Sequence, residues 1–270
     1  MKKFVAMLLA LSLVLAFAGC AKTEQAPETT AAPVETTAAV VETEAAETEA
    51  AVTVMTHEEF IAAELDSEVV VETYVQAAQG WWTDDQGVSK ATFYTQAEDG
   101  AYLLYDMPCT EEEYNQLIAG AKIRVTGYKA EWSGEVEIID ATFEILEGSY
   151  VAEALDVTEL LGTDELIAHM NEKVSFTGLT VAPSTDANGN EAAFLYNWDG
   201  SGSQGNDLYF NVTVGENTYN FCVESYLCGA DTDVYKAVEA LEIGQTINTE
   251  GFLYWYDGAN PHITSVTVVE

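Results

Sequence analysis

The chain has 270 residues, enough for two modest domains, and 48% of them are hydrophobic, so it can bury substantial cores. Its 46 Asp and Glu residues outnumber 9 Lys and Arg residues, which gives a formal net charge of −37. Proteins that bind nucleic acid neutralise phosphates with Lys and Arg, so this balance argues against a nucleic-acid partner.

The chain begins with two basic residues and an apolar run of signal-peptide length. Lys2 and Lys3 precede Phe4–Ala18, which is too short to span a bilayer. The run ends in Phe17-Ala18-Gly19-Cys20, which resembles the lipobox of bacterial lipoproteins, although that family prefers Leu where Phe17 stands. The resemblance implies a signal peptide over residues 1–19. It also implies a lipid on Cys20 that anchors the protein to the outer face of the bacterial cytoplasmic membrane.

Residues 20–55 are dominated by Ala, Thr, Glu, Pro and Val, with no aromatic residue and no periodicity. Such a segment cannot bury enough apolar surface to offset the entropy of its chain. We therefore expect a disordered linker that holds the folded part of the protein away from the membrane.

One stretch of the sequence occurs twice, as Gly120–Phe143 and as Gly244–Thr267. Identical residues recur at a constant separation of 124 positions, in the pairs Gly120 and Gly244, Ile123 and Ile247, Gly127 and Gly251, Gly134 and Gly258, Ile139 and Ile263. Matches at one fixed offset indicate an internal duplication. Each copy has the pattern of a strand, a turn flanked by aromatic residues, and a second strand.

The same order of elements is predicted around both copies. Thr56-His57-Glu58-Glu59 is a capping box that opens a short helix to about Leu65, and Thr163 opens a similar segment in the second repeat. A second capping box at Thr110 begins a helix that stops before Gly120. Strands are predicted at 68–77, 88–96, 101–106 and twice within 120–143, and again at 173–181, 208–214, 218–224, 246–254 and 262–268, with a helix at 231–241.

Five strands with a helix between the third and fourth resemble the OB-fold, a small Greek-key barrel. The resemblance covers residues 56–147 and 155–270 and rests on strand order and on the duplication. The predicted fold is mainly β, with two tandem five-stranded OB-like barrels after the linker. Each has one short helix before its first strand and another between its third and fourth strands. SH3-like barrels or sandwiches are the alternative, although neither needs the second helix. The short connection at 148–154 predicts that the barrels touch.

The resemblance to OB-folds places a ligand on the face of strands 2 and 3, between the loops that join strands 1–2 and 4–5. Aromatic residues occupy these loops in both repeats: Trp81, Trp82 and Trp132 in the first, and Trp198, Trp255 and Tyr256 in the second. Exposed rings in a cleft would stack sugars, bases or peptide side chains. Rings that plug the barrel ends are the alternative, which the sequence leaves open.

Other motifs carry weaker signals. Asp186, Asn188 and Asn190 place oxygens at alternate positions like a calcium loop, although Glu191 stands where an EF-hand has Gly, and a hairpin turn at Asn188-Gly189 is the alternative. The GxGxxG string at 200–205 precedes a strand rather than a helix, so no cofactor is predicted. The three His residues share no spacing that indicates a metal or catalytic site. Cys109, Cys222 and Cys228 are expected to be free thiols.

The sequence favours a non-enzymatic binding module, and no catalytic residue is predicted. Because of the charge, an extracellular protein, glycan or cation ligand ranks above nucleic acid. Two alternatives stay open: an extracellular hydrolase that uses a carboxylate pair, and a nucleic-acid-binding OB protein. The oligomeric state is left undetermined.

Overall fold

The structure is a computed structural model and describes residues 53–269. The predicted signal peptide, the lipid site at Cys20 and all but the end of the linker lie outside the described residues and stay predictions. Within residues 53–269, no helix is both long and apolar enough to cross a membrane.

The first barrel is a closed sheet of five main strands. Its hydrogen-bonded order is β1–β5–β6–β4–β3, and pairing of β3 with β1 closes the ring. The helix α2 lies between β4 and β5 in the sequence, which is the OB order. Its elements are α1 (His57–Ala62), β1 (Glu68–Ala78), the short β2 (Trp82–Thr83), β3 (Ser89–Ala97), β4 (Gly100–Pro108), α2 (Glu111–Tyr114), β5 (Ala121–Trp132) and β6 (Glu135–Ser149).

The second barrel repeats this arrangement. Its order is β12–β13–β15–β14–β8, closed by pairing of β12 with β8. Its elements are β7 (Leu155–Asp156), β8 (Lys173–Ala182), β9 (Ser184–Thr185), β10 (Glu191–Ala192), β11 (Leu195–Tyr196), β12 (Leu208–Val214), β13 (Asn217–Val223), α3 (Asp233–Glu239), β14 (Thr246–Phe252) and β15 (His262–Val268), with 3-10 helices at Thr158–Leu160 and Leu166–His169. The predicted fold, two tandem five-stranded OB-like barrels, is confirmed.

The duplicated glycines occupy equivalent positions in the two barrels. Gly127 and Gly251 lie where β5 and β14 bulge against their hairpin partners. A Cβ at Gly127 would collide with Ile138 and Ile139, and a Cβ at Gly251 would collide with the backbone of His262. Only glycine allows two backbones to approach this closely, which explains why this residue type recurs in both copies.

The capping boxes form in the first barrel only. The hydroxyls of Thr56 and Thr110 accept the backbone N–H of Glu59 and Glu113, and both glutamates reach back to the cap. Thr163 instead donates its hydroxyl to the carbonyl of Leu160. The segment after Thr163 therefore forms a short 3-10 helix without a side-chain cap, where the sequence predicted a capped helix.

The barrels pack directly on each other. A small core of Tyr94, Leu103 and Phe252 joins them, separate from the two barrel cores. Backbone contacts also cross the interface, as when Gly80 donates its N–H to the carbonyl of Tyr226 at 2.8 Å. The prediction that the short connection brings the barrels together is correct.

Candidate functional site

In the first barrel, the face where an OB-fold binds its ligand is covered by the second barrel. Tyr94 of β3 is fully buried and stacks on Phe252 of β14, with ring centroids 4.5 Å apart. Its hydroxyl lies 2.7 Å from Nδ1 of His262. Leu103 of β4 is 2% exposed in the same contact. The face of β3 and β4 is therefore filled by protein and closed to a ligand.

In the second barrel, the equivalent face is open. A groove of about 750 Å³ runs over β12 and β13, between the long β8–β12 loop and the β14–β15 loop. These are the loops that flank the ligand in an OB-fold. The groove is lined by Trp198, Asp207, Tyr209, Asn220, Glu224, Tyr254, Tyr256, Ala259, Asn260 and His262. We take this surface as the candidate site and call it the β12–β13 groove.

Four aromatic side chains line the β12–β13 groove. Trp198 and Tyr256 are 77% and 52% exposed, and they come from the two flanking loops. Tyr254 stacks on His262 with ring centroids 4.4 Å apart, which fixes its ring. Tyr209 is half-buried on β12. The groove therefore offers two exposed rings, those of Trp198 and Tyr256, and a ring fixed by packing, that of Tyr254, for stacking with a ligand.

Acidic side chains lie among these rings. Burial raises the pKa of Glu224 to about 7, and its two oxygens accept the backbone N–H groups of Tyr226 and Leu227. Asp207 accepts the backbone N–H and the hydroxyl of Ser225 through Oδ1. Both carboxylates thus hold the turn after β13 in place.

His262 is a neutral, structural histidine. Burial lowers its pKa to about 3, while burial raises the pKa of Tyr94 well above its ordinary value. The hydroxyl of Tyr94 therefore keeps its proton, and it forms a hydrogen bond with Nδ1 of the neutral imidazole. This bond ties the wall of the groove to the first barrel.

Every basic residue in the described part of the chain is engaged by the protein itself. The acceptors are Asp84 and Asp106 for Lys90, Glu72 for Lys122, Glu72 and Glu144 for Arg124, and backbone carbonyls for Lys129, Lys173 and Lys236. The groove itself is lined by no Lys or Arg. The site therefore has no cation with which to neutralise a phosphate.

The structure places the predicted site residues of the second repeat on two different surfaces. Trp198 and Tyr256 lie in the β12–β13 groove. Trp255 points the other way and packs against Gly134 at the tip of the β5–β6 hairpin. Its backbone N–H donates to Oε2 of Glu135 at 2.8 Å. Trp255 therefore belongs to the contact between the barrels and not to this groove.

The three predicted tryptophans of the first repeat do not form one rim around a ligand face. Trp81 is half-buried on the core, and its Nε1 donates to the carbonyl of Cys109 at 3.0 Å. Trp82 is 45% exposed beneath the ammonium group of Lys90. Trp132 is 62% exposed at the end of β5. The face that they were expected to flank is the one that the second barrel covers.

The weak calcium candidates form the turn of the β9–β10 hairpin. The carboxylate of Asp186 accepts the backbone N–H groups of Asn188 and Asn190 and the side-chain amide of Asn190. These donors occupy both of its oxygens, as in the hairpin alternative. Across residues 53–269, no group of three or more metal-ligating side chains converges. Cys109, Cys222 and Cys228 are free and buried.

Sequence reasoning missed the residues that line the groove on the strands. Tyr209 and Asn220 occupy outward positions of β12 and β13, and Tyr254 lies two residues after the end of β14. The alternation of buried and outward positions in the predicted strands would have found Tyr209 and Asn220. Asp207, Glu224 and Asn260 lie at strand ends and in a loop, where alternation gives no signal.

No protein-family model and no curated protein matches the chain. Several solved structures are similar in fold. They include the tetrameric p202 HIN2 (15% identity, 77% of this chain and 96% of that one, TM-score 0.32). A second is the Ifi202 HINa domain in complex with a 20-bp double-stranded DNA (11% identity, 75% of this chain and 98% of that one, TM-score 0.33). A third is a replication protein A heterotrimer bound to single-stranded DNA (8% identity, 74% of this chain and 48% of that one, TM-score 0.31).

These findings correct the sequence-based view of the ligand. Protein, glycan and cation partners ranked above nucleic acid, yet the solved structures of similar fold include complexes with double-stranded and single-stranded DNA. At these identities and TM-scores the likeness concerns the fold alone and does not identify a ligand of this chain.

Proposed function

We propose that the protein binds single-stranded nucleic acid, through its bases, in the β12–β13 groove. The observation that carries the proposal is the open face of the second barrel, with four aromatic side chains between the two loops that flank oligonucleotides in OB-folds. Stacking of a base on an aromatic side chain contributes about 1–3 kcal/mol and tolerates any sequence. Trp198 and Tyr256, one on each flanking loop, are the rings that a strand would meet first.

The polar residues of the groove suit the edges of bases. Carboxylates accept hydrogen bonds from exocyclic amino groups, such as N4 of cytosine. Asp207 uses only Oδ1 within the described residues, which leaves Oδ2 as an acceptor. Asn220 donates to Asn211 and keeps its own carbonyl oxygen. We therefore expect bases that carry amino groups to bind more tightly than thymine or uracil.

The acidic surface determines how salt affects binding. A site that neutralises phosphates loses affinity as salt rises, because bound counterions are released. Here the basic residues are engaged by the protein, and the phosphates would lie outside the groove, repelled by the negative surface. Salt screens this repulsion, so binding should strengthen with salt where most nucleic-acid-binding proteins weaken.

Fluorescence anisotropy with dye-labelled oligonucleotides tests the proposal. Strands of about 12 nucleotides suit one OB-fold, and oligo-dC and oligo-dA should bind more tightly than oligo-dT. Affinity should rise between about 50 and 200 mM salt. Trp198→Ala and Tyr256→Ala should each weaken binding about fivefold or more, because each removes one stacking platform.

Trp82→Ala is the matched control, since Trp82 is an exposed tryptophan on the other barrel. It should leave the affinity unchanged. The proposal is wrong if none of the oligonucleotides binds at the higher salt concentration, or if Trp82→Ala weakens binding as much as Trp198→Ala does.

A further inference from the structure

The β14–β15 loop forms one side of the β12–β13 groove. It covers residues 253–261 and carries Tyr254 and Tyr256, two of the four aromatic side chains of the groove. The ring of Tyr256 is 52% exposed. The conformation of this loop therefore determines where that ring stands when a ligand arrives.

The first barrel binds the backbone of this loop on both sides of Tyr256. Oε2 of Glu135 accepts the N–H of Trp255 at 2.8 Å. The carbonyl of Ser133 accepts the N–H of Asp257 at 2.7 Å. Both acceptors lie at the turn between β5 and β6, residues 132–135, which we call the hairpin tip. Two hydrogen bonds from one hairpin thus hold the residues before and after Tyr256.

The hairpin tip also fits the loop by its shape. Gly134 has a φ of +89°, and a Cβ at this position would be 2.9 Å from Cδ1 of Trp255. A side chain at Gly134 would therefore collide with the ring of Trp255. Gly134 corresponds to Gly258 in the duplicated stretch, so the aromatic-flanked turns of the two copies meet here.

The first barrel holds the other aromatic ring of the loop through a histidine. The hydroxyl of Tyr94 lies 2.7 Å from Nδ1 of His262, and Tyr254 stacks on this imidazole with ring centroids 4.4 Å apart. Tyr254 also packs against the small core that joins the barrels. Both tyrosines of the loop are therefore held by contacts with the first barrel.

The loop on the opposite side of the groove is held by the second barrel itself. Trp198 lies on this β8–β12 loop and is 77% exposed. Among the described residues, the hydrogen bonds of the loop go to the second barrel, as when Asn197 donates its backbone N–H to the carbonyl of Asp207 at 2.9 Å. Only one side of the groove thus depends on the contact between the barrels.

We propose that the first barrel preorganises the β12–β13 groove: its hairpin tip holds the β14–β15 loop so that Tyr256 is in place before a strand binds. The proposal rests on the proposed nucleic-acid function for its ligand. Ser133 and Glu135 are positioning residues in this role, because they act through Trp255 and Asp257 and touch no ligand. A loop that is already ordered loses little entropy on binding.

Gly134→Ala tests the proposal, because the added Cβ would push the ring of Trp255 away from the hairpin tip. Gly87→Ala is the matched control. Gly87 also belongs to the first barrel and has a similar φ of +81°, but a Cβ there meets no atom within 4 Å in the described part of the chain. Both variants carry the same kind of backbone strain, so a difference between them comes from the contact with Trp255.

Amide hydrogen exchange, followed by NMR, measures the hold on the loop without a ligand. The N–H groups of Trp255 and Asp257 should exchange slowly in the wild type. Gly134→Ala should speed both about fivefold or more, as for the loss of one ordinary hydrogen bond, and Gly87→Ala should leave them unchanged. The N–H of Asn197 should keep its rate in both variants, which also shows that they are folded. Equal exchange of the two loop amides in both variants would overturn the proposal.

Glu135→Leu is a second variant that does not depend on Gly134. It removes the acceptor of the Trp255 N–H, while an apolar side chain suits this fully buried position. It should speed the exchange of Trp255 more than that of Asp257, whose acceptor is a backbone carbonyl. An unchanged rate at Trp255 would contradict the positioning role of Glu135.

Binding of oligo-dC at about 200 mM salt, measured by fluorescence anisotropy, separates this proposal from the proposed function. Gly134→Ala should weaken binding about fivefold, the cost of ordering one more side chain, and Gly87→Ala should bind like the wild type. Equal affinity of both variants would show that the hairpin tip does not position the groove, while the binding function stands. If the wild type bound no oligo-dC, the binding function would fail, and the exchange rates would still decide whether the hairpin tip holds the loop.

Discussion

At the scale of single residues, Glu135 stands out because it is fully buried where the barrels meet. Its Oε2 accepts the backbone N–H of Trp255, while its Oε1 has no donor among the described residues. Asn171, with its own unpartnered oxygen, is its side-chain neighbour. Burial raises the pKa of Glu135 to about 8, so this carboxyl group holds a proton at neutral pH.

Glu135→Gln should change how stability depends on pH. The folded protein holds this proton to a pKa of about 8, whereas the unfolded chain releases it near 4.5. The unfolded state therefore binds fewer protons in this range, and wild-type stability falls as pH rises from 4.5 to 8. The variant lacks this loss and should be more stable above pH 8, by on the order of 5 kcal/mol at about 1.4 kcal/mol per pKa unit.

Urea unfolding across this pH range measures the effect. Burial also raises the pKa values of Glu137 and Glu224 to about 7, so part of the pH dependence should persist in the variant. Glu216→Gln, at an exposed turn, is the control and should follow the wild type. If Glu135→Gln kept the full wild-type slope, Glu135 would not be the protonated group.

At the scale of elements, neighbouring tryptophans in the β1–β3 loop have different roles. Trp81 packs on the core of the first barrel and donates to the carbonyl of Cys109. Trp82, the next residue, is 45% exposed. The loop thus packs the ring of Trp81 on the barrel core and leaves the ring of Trp82 exposed to solvent. Of the two alternatives that the sequence left open, Trp81 fits the barrel plug and Trp82 fits the exposed ring.

Trp81→Ala should therefore destabilise the protein by about 3 kcal/mol, near the lower end for truncation of a buried aromatic side chain. Trp82→Ala should lower the stability by less than about 1 kcal/mol, since it loses only an exposed cation–π contact with Lys90. Thermal unfolding of the two variants side by side provides the comparison. Equal losses would mean that the loop packs differently from the structure described here.

At the scale of the whole molecule, the two barrels form one structural unit. The face of the first barrel that could hold a ligand is instead packed on the second barrel through Tyr94, Leu103 and Phe252. Of the two equivalent faces, the one on the first barrel is therefore covered, and the one on the second barrel, the β12–β13 groove, is open. The two barrels are similar in fold, but their packing makes these two faces different.

The barrels should unfold together. Tyr94→Ala removes a fully buried ring from the interface and a hydrogen bond to His262. It should lower the midpoint of a single transition, at a cost of about 3–5 kcal/mol. Differential scanning calorimetry measures this, with Tyr128→Ala as the control because Tyr128 is 44% exposed. Two separate transitions in the wild type would show that the barrels are independent.

The sequence by itself determined the strands, their order and the repetition of the barrel. These features depend on local signals: alternating apolar residues, capping boxes at Thr56 and Thr110, and paired glycines at Gly127 and Gly251 where backbones must approach closely. It also placed Trp198 and Tyr256 on the loops that flank the β12–β13 groove, because these loops follow from the strand order.

Only the tertiary structure decided which face stays open and which side chains become buried. Tyr94, Glu135 and His262 lie far apart in sequence and meet only when one barrel packs on the other. Trp255 and Tyr256 are adjacent, yet one packs between the barrels and the other lines the groove. How two surfaces pack depends on how well their shapes fit and on the desolvation of both. No local pattern along the chain encodes these properties of the pair.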